Sequence, residues 1–287
     1  MREKKDQTQL MPRVNVLYIC KNRNMEKQLS YNNGTIHYNI SGHGKCLVLL
    51  HGFLESKDIW NSFMEILSED FTIIAPDLPG HGQSSTFGDT HTMEFMADRV
   101  AAILQAENIE NCVITGHSMG GYVSLAFAKK YPAKVTGLVL FHSHASADTA
   151  VARENRERTI NIVRSNRQGF ITQFVPELFA PQNRERMAQK IKEMQTESMQ
   201  TSAEGIIAAL NGMGLRKSSL STLIEATFPI LFIVGKQDSR IPLDKSLAQI
   251  MLPQHSEALI LDNTGHMGFV EEPHKTMTTL RDFTKKS

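Results

Sequence analysis

The sequence predicts an α/β fold in which helices flank a mostly parallel sheet and an all-helical segment is inserted late in the chain. Short apolar runs, typical of strands that are buried on both faces, alternate with stretches of helical periodicity. Strands separated by helices of this length indicate right-handed crossovers and parallel pairing. The alternation stops after Ser143, and residues 147–227 contain no strand-like run.

The elements of the first half follow in chain order. The dipeptide Asn33-Gly34 is a strong hairpin signal between two strand-like runs. Continuous apolar runs then predict four buried strands, and apolar residues spaced three and four apart predict the helices between them. The strands are expected at 46–50, 71–75, 112–115 and 135–141, and the helices at the stripes Ile59, Phe63, Ile66 and Leu67, at Met96, Val100, Ile103 and Leu104, and over 119–130.

The second half begins with polar helical sequence and then returns to strands at 229–234 and 257–261, followed by a helix from Pro273. We therefore predict a core made of residues 25–146 and 228–287, with residues 147–227 as a helical cap. Most Phe and Met side chains of the cap are expected to form its own core, and a minority to line a pocket beneath it. Residues 1–24 are basic and predict a disordered extension; a signal peptide is disfavoured because bulky residues precede Cys20.

Composition excludes several classes of protein. The 287 residues carry 31 Lys and Arg against 30 Asp and Glu, so no excess charge is available for a nucleic-acid partner. No apolar run has the roughly 18 residues that a membrane span requires. Three cysteines are too few for a disulfide framework, and their spacing fits no zinc site. We expect a cytoplasmic monomer or homodimer without metal, cofactor, membrane or nucleic-acid partner.

The most informative motif is Gly116-x-Ser118-x-Gly120, because a strand is predicted before it and a helix after it. A serine at such a turn adopts a strained backbone to present its hydroxyl, and the residues two before and two after it must be small. The turn also places Ser118 at a helix N-terminus, where the helix dipole favours negative charge. This context predicts that Ser118 is a nucleophile.

A serine nucleophile needs a base and a carboxylate that orients the base. His266 follows the last strand, and Asp238 follows the strand before it, so both are expected at the same edge of the sheet as Ser118. Asp262 is the rival carboxylate, although it is more typical of a strand end, and Asp244 is a weaker rival because a helix start precedes it.

The developing oxyanion needs backbone N–H donors. One is expected from Met119, directly after the nucleophile, and the other from Phe53, in the loop after strand 46–50. His51 is expected to support that loop, and Asp77 and His81 to hold the loop after the next strand. Candidate substrate contacts are His117, His142, His144, Phe170, Phe174, Phe179 and Met267; for His142 and His144, a hinge role at the start of the cap is equally open.

Taken together, the segments LHGF, DLPGHGQS, GHSMGG, GKQDSRIP and NTGHMGFVEEP resemble the capped α/β-hydrolase family from about Met25 to Ser287. The resemblance implies a mostly parallel eight-stranded sheet with an inserted helical cap, a Ser118–Asp238–His266 triad, and an oxyanion hole at Phe53 and Met119. Serine at 118 differs from the aspartate of haloalkane dehalogenases and epoxide hydrolases, which argues against those activities. Within the family the chain is similar to carboxylesterases, enol-lactonases and 2-succinyl-6-hydroxy-2,4-cyclohexadiene-1-carboxylate (SHCHC) synthases.

Three functions follow as hypotheses. The first is a serine hydrolase that cleaves a small or medium carboxylic ester, thioester or lactone through an acyl-enzyme on Ser118. The alternative is an SHCHC synthase-like lyase, or a C–C bond hydrolase, on the same scaffold, and the third is a non-catalytic ligand-binding homologue. A lyase with a dianionic substrate needs cationic groups, for which the sequence offers Arg153, Arg158, Arg164 and Arg167.

Overall fold

The computed structural model describes residues 20–21, 24–31 and 33–287. Its strands form one sheet, and they are, in chain order, β1 (Cys20–Lys21), β2 (Asn24–Tyr31), β3 (Gly34–Ser41), β4 (Cys46–Leu50), β5 (Thr72–Pro76), β6 (Cys112–His117), β7 (Val135–Phe141), β8 (Ile230–Gly235) and β9 (Ser256–Leu261). The spatial order is β1-β2-β3-β5-β4-β6-β7-β8-β9. The expected eight strands are therefore present, and the two-residue strand β1 extends the sheet at one edge.

The helices are α1 (Asn61–Leu67), α2 (Met93–Ala106), α3 (Met119–Lys130), α4 (Ala150–Phe174), α5 (Ala188–Ser198), α6 (Ala203–Leu215), α7 (Leu220–Ile224), α8 (Leu243–Ile250), α9 (Gly268–Glu271) and α10 (Pro273–Lys286). No helix within the described residues combines the length and the hydropathy needed to cross a bilayer.

The pairing of the strands confirms the predicted α/β fold. The β2–β3 hairpin is antiparallel and closes on the pair Tyr31 and Gly34, at the predicted turn. Strand β3 is antiparallel to β5, whereas β5, β4, β6, β7, β8 and β9 all run parallel. The strands β4, β6 and β8 are buried along their full length, as their continuous apolar sequence requires. The carboxyl ends of the parallel strands consequently meet at one edge of the sheet.

The predicted extension, residues 1–24, lies mostly outside the described residues. Within it, Cys20–Lys21 pairs with β2 as an antiparallel strand, and Asn24 is the first residue of β2. The hydrogen-bonded sheet therefore begins before the expected boundary at Met25.

The segment between β7 and β8 is helical over its described residues and contains no strand, as the sequence predicts. Its longest helix, α4, is broken at Asn166, whose backbone is non-helical (φ −151°, ψ 68°) and whose side-chain oxygen accepts a hydrogen bond from the N–H of Gly169. This arrangement starts a second helix at residue 167, since a side-chain acceptor satisfies a free N–H of its first turn. Helix α4 is therefore two helical parts that meet at Asn166.

Candidate active site

Ser118 lies between β6 and α3 in a strained turn, with φ 50° and ψ −113°. A non-glycine residue adopts this conformation only where its surroundings enforce it. Its N–H donates to the carbonyl of Phe141, and its carbonyl accepts from the Ser143 hydroxyl. A side chain at Gly116 would overlap the backbone of Gly120, and one at Gly120 would come within 2.5 Å of a main-chain oxygen of β4. The turn therefore requires small residues at both positions, as predicted from the motif.

His266 and Asp238 are in direct contact. The Nδ1 of His266 lies 2.8 and 3.0 Å from the two carboxylate oxygens of Asp238. Burial raises the pKa of Asp238, but the His266 ring and hydrogen bonds from two histidines outweigh it and hold that pKa far below its ordinary value. The carboxylate is therefore ionised and fixes His266 with Nδ1 protonated, so that Nε2 is the nitrogen available for a proton from another group.

The rival carboxylates lie elsewhere. Asp262 is 73% exposed and pairs with Lys236 at 2.6 Å. Asp244 is in the exposed first turn of α8. The structure thus brings together Asp238 and His266, which is the pair that chain order predicted.

His142 is a second histidine on the same carboxylate. It directly follows β7, has a φ of 48°, and places Nδ1 3.0 Å from the Oδ2 of Asp238. Burial lowers the pKa of His142 to about 4, so the ring is neutral and donates from Nδ1. His142, Asp238 and His266 form a cluster of three potential metal-ligating groups among the described residues. The hydrogen bonds from the two histidine rings to Asp238 account for the geometry of this cluster, and the expected absence of a metal stays a prediction.

The two residues whose backbone N–H groups were expected to form an oxyanion hole lie at the start of α3 and in the loop after β4. Met119 is the first residue of α3, where a helix leaves its N–H without an intrahelical acceptor. Phe53 lies in the loop after β4. This loop is held by His51, whose Nδ1 lies 2.7 Å from the Gly52 carbonyl and whose Nε2 accepts from the N–H of Leu78. His51 therefore supports the loop, as expected.

A buried ion pair, which sequence reasoning missed, connects three loops of the site. Glu55 Oε2 lies 2.9 Å from His117 Nδ1 and accepts the Gly52 N–H at 2.5 Å. The other nitrogen of His117 lies 2.8 Å from the carbonyl of His266. Because both ring nitrogens face acceptors, His117 is an imidazolium. Burial favours the neutral form, but Glu55 outweighs it and raises the pKa of His117; the pKa of Glu55 is lowered in turn.

Exchange of Glu55 for Gln should destabilise the protein by about 3 kcal/mol or more, since it leaves a buried charge without its partner. The pKa of His117 is higher in the folded protein than in the unfolded chain, so its protonation stabilises the fold at low pH, and this stabilisation is lost as the pH rises through the folded-state pKa of His117. The pKa of Glu55 is lower in the folded protein, so its ionisation stabilises the fold at higher pH, and this stabilisation is lost as the pH falls through the folded-state pKa of Glu55. The difference in unfolding free energy between wild type and Glu55→Gln should therefore be largest between these two pKa values.

Chemical denaturation at a series of pH values measures this difference. Glu107→Gln is the matched control, because Glu107 also accepts from two side chains, Lys27 and Tyr38, away from these loops. A Glu55→Gln deficit that stays constant from acidic to alkaline pH would contradict the assignment of His117 as an imidazolium.

Glu271 is the last residue of α9, and its buried carboxylate accepts the N–H groups of Gly265, Met267 and Ala180. The His266 N–H also donates to the carbonyl of Leu178. The loop that carries His266 is therefore tied to the inserted helical segment at residues 178–180.

A cavity of about 430 Å³ opens between the sheet edge and the inserted segment. Ser118 and His266 both line it, together with Phe53 and His117. The remaining lining residues are Glu55, Tyr122, Ala152, Asn155, Arg156, Thr159, Phe170, Gln173, Phe174, Glu177, Leu178, Leu210, Met213, Arg240 and Ile241. The walls are mixed, with aromatic and aliphatic side chains beside two guanidinium groups.

Of the candidate substrate contacts, His117, Phe170 and Phe174 line this cavity, and the other four do not. Phe179 and Met267 are fully buried in the hydrophobic core. His142 is engaged with Asp238, and His144 lies 3.3 Å from the Tyr122 hydroxyl, outside the cavity lining. The expectation of substrate contact is corrected for these four, because packing and hydrogen bonds direct their side chains elsewhere.

The cations expected from sequence also lie elsewhere. Arg153, Arg158, Arg164 and Arg167 are absent from the cavity lining, and Arg158 pairs with Glu154 on an exposed face of α4. Arg156 of the same helix and Arg240 after β8 line the cavity instead. Helical periodicity restricts which residues share a face but does not say which face is covered, so sequence could not distinguish Arg156 from its neighbours.

Comparisons with known proteins identify the fold family. The family model for the alpha/beta hydrolase fold matches residues 45–273. A thermophilic esterase from Thermogutta terrifontis, solved with malate bound, is 30% identical, and the alignment covers 91% of this chain and 98% of that one with a TM-score of 0.85.

Curated relatives include several activities. A pimeloyl-[acyl-carrier protein] methyl ester esterase from Vibrio parahaemolyticus is 26% identical over 87% of this chain and 98% of its own length. A putative SHCHC synthase from Bacillus subtilis is 28% identical over 80% of this chain and 86% of its own. Uncharacterized proteins from Mycobacterium bovis and Mycobacterium tuberculosis are 37% identical over 36% of this chain, which spans only 30% of their length. The match over residues 45–273 establishes that this chain belongs to the alpha/beta hydrolase fold family.

Proposed function

We propose that the chain is a serine hydrolase that cleaves a small or medium carboxylic ester, thioester or lactone through an acyl-enzyme on Ser118. One observation carries the proposal: Ser118 in its strained turn shares a cavity with His266, whose Nδ1 is bonded to a buried, ionised Asp238. Esterase relatives of the same family support a hydrolase.

Acylation follows from the placement of these groups. His266 Nε2 accepts the proton of the Ser118 hydroxyl while the oxygen attacks the substrate carbonyl. Asp238 stabilises the imidazolium that forms, and the N–H groups of Phe53 and Met119 stabilise the oxyanion. His266 then donates its proton to the leaving alcohol, thiol or ring oxygen, which leaves the acyl group on Ser118.

Deacylation repeats these steps with water as the nucleophile. His266 takes a proton from water, the tetrahedral intermediate forms on the same two N–H groups, and Ser118 leaves as its hydroxyl regains the proton. The carboxylic acid then departs through the cavity. No cofactor is needed for any of these steps.

Residues 147–227 are proposed to act as a cap that selects the substrate. They provide part of the cavity wall, with Phe170 and Phe174 contributing aromatic surface. The ring of Phe174 packs edge-on against the ring of Phe53, with 5.9 Å between their centroids. The cap therefore contacts the loop after β4 that carries Phe53. A cap over the cavity limits the entry of water and contacts the parts of the substrate that do not react.

Exchange of Phe174 for Ala should change the preference for acyl chain length, because the lost apolar surface is worth roughly 1–3 kcal/mol of discrimination. kcat/KM for ethyl esters of graded chain length measures this. Phe179→Ala should instead lower the free energy of unfolding, by about 3–5 kcal/mol, because Phe179 is fully buried and does not line the cavity. If Phe174→Ala kept the wild-type preference for acyl chain length, the cap would have a structural role and would not select the substrate.

The reaction class is tested by a panel of p-nitrophenyl esters, thioesters and lactones, assayed with wild type and Ser118→Ala. Turnover of at least one class that depends on Ser118 supports the proposal. If no class is hydrolysed by properly folded wild type, the third hypothesis, a ligand-binding homologue, replaces it.

A lyase of the SHCHC-synthase type, or a C–C bond hydrolase, is the second candidate, and the relative in Bacillus subtilis favours it. In a lyase, Ser118 and His266 would remove a proton from the substrate and no acyl group would be transferred. Arg156 and Arg240 supply cations in the cavity wall that an anionic substrate requires. Turnover without a covalent intermediate would distinguish the lyase from the hydrolase.

A further inference from the structure

The charged groups around the cavity are paired unequally. Two of its carboxylates have their own cations: Glu55 pairs with His117 at 2.9 Å, and Glu177 pairs with Arg240 at 2.8 Å. These two pairs leave no excess charge. The third cluster, near the start of α4, is different.

In that cluster, two guanidinium groups share one carboxylate. Asp148 lies 2.5 Å from Arg156 Nε and 2.6 Å from Arg216 Nη1. One positive charge is therefore left over at this end of the cavity. The neighbouring His144 adds no charge, because burial, followed by the fields of Arg216 and Lys245, lowers its pKa to about 4.

Of the two guanidinium groups, Arg156 is the one that reaches the cavity. Arg216 is buried and stacks on the Tyr122 ring, 3.9 Å from its centroid, outside the cavity lining. The side chain of Arg156 is 21% exposed and lines the cavity. Its Nε and Nη2 face Asp148, while the acceptor of Nη1 among the described residues is the thioether sulfur of Met213, at 3.4 Å.

A thioether is a weak acceptor, so Nη1 is poorly satisfied for a group that carries a positive charge. An anionic oxygen would form a shorter and stronger charge-assisted hydrogen bond there. Asn155, the residue before Arg156, also lines the cavity and has an amide N–H₂ that can donate to an anionic head group.

We propose that Arg156 is an anion-binding residue, and that the substrate is an ester that carries a second, free carboxylate. This inference rests on the proposed function, because it assigns the substrate class of the same site. The ester carbonyl is bound at Ser118, and the free carboxylate at Arg156. The aliphatic and aromatic walls of the cavity contact the carbon chain between them.

Matched substrate pairs test the proposal. Monoethyl glutarate is compared with ethyl glutaramate, its neutral amide isostere, to place the carboxylate on the acyl side. The second pair, 4-acetoxybutyrate and 4-acetoxybutanamide, carries the carboxylate or its neutral amide on the alcohol side of the ester. In at least one pair, wild type should show a kcat/KM at least about tenfold higher for the carboxylate, since hydrogen bonds to charged groups have effects of this size.

Arg156→Gln should remove this preference, so that the ratio of kcat/KM for the carboxylate to kcat/KM for the amide falls to about one. The matched control is Arg153→Gln: Arg153 lies one turn before Arg156 on α4 and donates to the Asp148 carbonyl, but does not line the cavity. It should keep the preference. Competitive inhibition by free glutarate is a second measurement, and it should weaken at least about tenfold in Arg156→Gln only.

The proposal would be overturned if wild type hydrolysed neither carboxylate faster than its amide. It would also be overturned if Arg156→Gln kept both the preference for the carboxylate and the inhibition by glutarate. Failure of the proposed function gives a different result. In that case even neutral esters such as p-nitrophenyl acetate would not be hydrolysed in a manner that depends on Ser118.

Discussion

Replacement of Ser118 by Ala is expected to lower turnover of every ester substrate by at least about three orders of magnitude. The side chain supplies the attacking oxygen, and no other serine of the described residues lies in a strand–turn–helix junction with glycine two positions before and after it. Since alanine also fits the strained turn poorly, the measurement pairs steady-state kinetics with thermal unfolding. Substrate binding should be retained.

Ser143→Ala is the matched control. Ser143 donates its hydroxyl to the Ser118 carbonyl and lies outside the cavity lining. It should lose far less activity than Ser118→Ala. Equal losses in the two variants would mean that the geometry of the turn, rather than the hydroxyl of Ser118, limits turnover.

Replacement of Asp238 by Asn is expected to lower kcat by about 10³-fold or more, with the fold retained. Asn is nearly the same shape, but it offers its amide N–H₂ to one of the groups that now donate to the carboxylate. These donors are the two histidine rings and the N–H groups of Arg240 and Ile241. His266 is then held in the wrong tautomer and cannot accept the proton of Ser118.

The control for this prediction is Asp262→Asn, because Asp262 pairs only with Lys236 at the surface among the described residues. It should have nearly wild-type kinetics. If Asp262→Asn were the more damaging of the two at equal thermal stability, Asp238 could not be the orienting carboxylate.

The fold was predictable because each signal for it is local. Buried strands appear as apolar runs, and the predicted bounds differ from the observed ones by a residue or two, as in Thr72–Pro76 against the expected 71–75. Polar residues that follow strands of a parallel sheet meet at one edge of it. For this reason, the chain order of Ser118, Asp238 and His266 was enough to predict that they come together.

The remainder of the site depends on contacts between residues far apart in sequence. Glu55 and His117 are 62 residues apart, and neither lies in a pattern that would indicate the other. The local sequence around Glu271 does not show that its carboxylate joins the loop of His266 to Ala180. For His142, the sequence left substrate contact and a hinge role equally open. Its hydrogen bond to Asp238 depends on the register in which β7 pairs with β8, which the sequence does not show.

The lining of the cavity was only partly predictable for a related reason. Phe170, Phe174 and Phe179 are similarly apolar, but the first two belong to α4 and the third follows the short helix Pro176–Leu178. This change of chain direction places Phe179 in the core. Within α4, Phe170 and Phe174 repeat the positions of Ala152 and Arg156 at a whole number of helical turns, so the lining residues share one face, which periodicity alone did not identify as the covered one.

Ser118 is expected to become covalently acylated during turnover. Wild type is mixed rapidly with a p-nitrophenyl ester, quenched in acid within the first turnovers, digested, and analysed by mass spectrometry. We predict a burst of p-nitrophenol close to one equivalent wherever deacylation is slower than acylation, and an acyl adduct on the peptide that contains Ser118. A fluorophosphonate should label the same residue and abolish turnover. Turnover with no adduct and no fluorophosphonate labelling, or labelling of a different residue, would contradict the account.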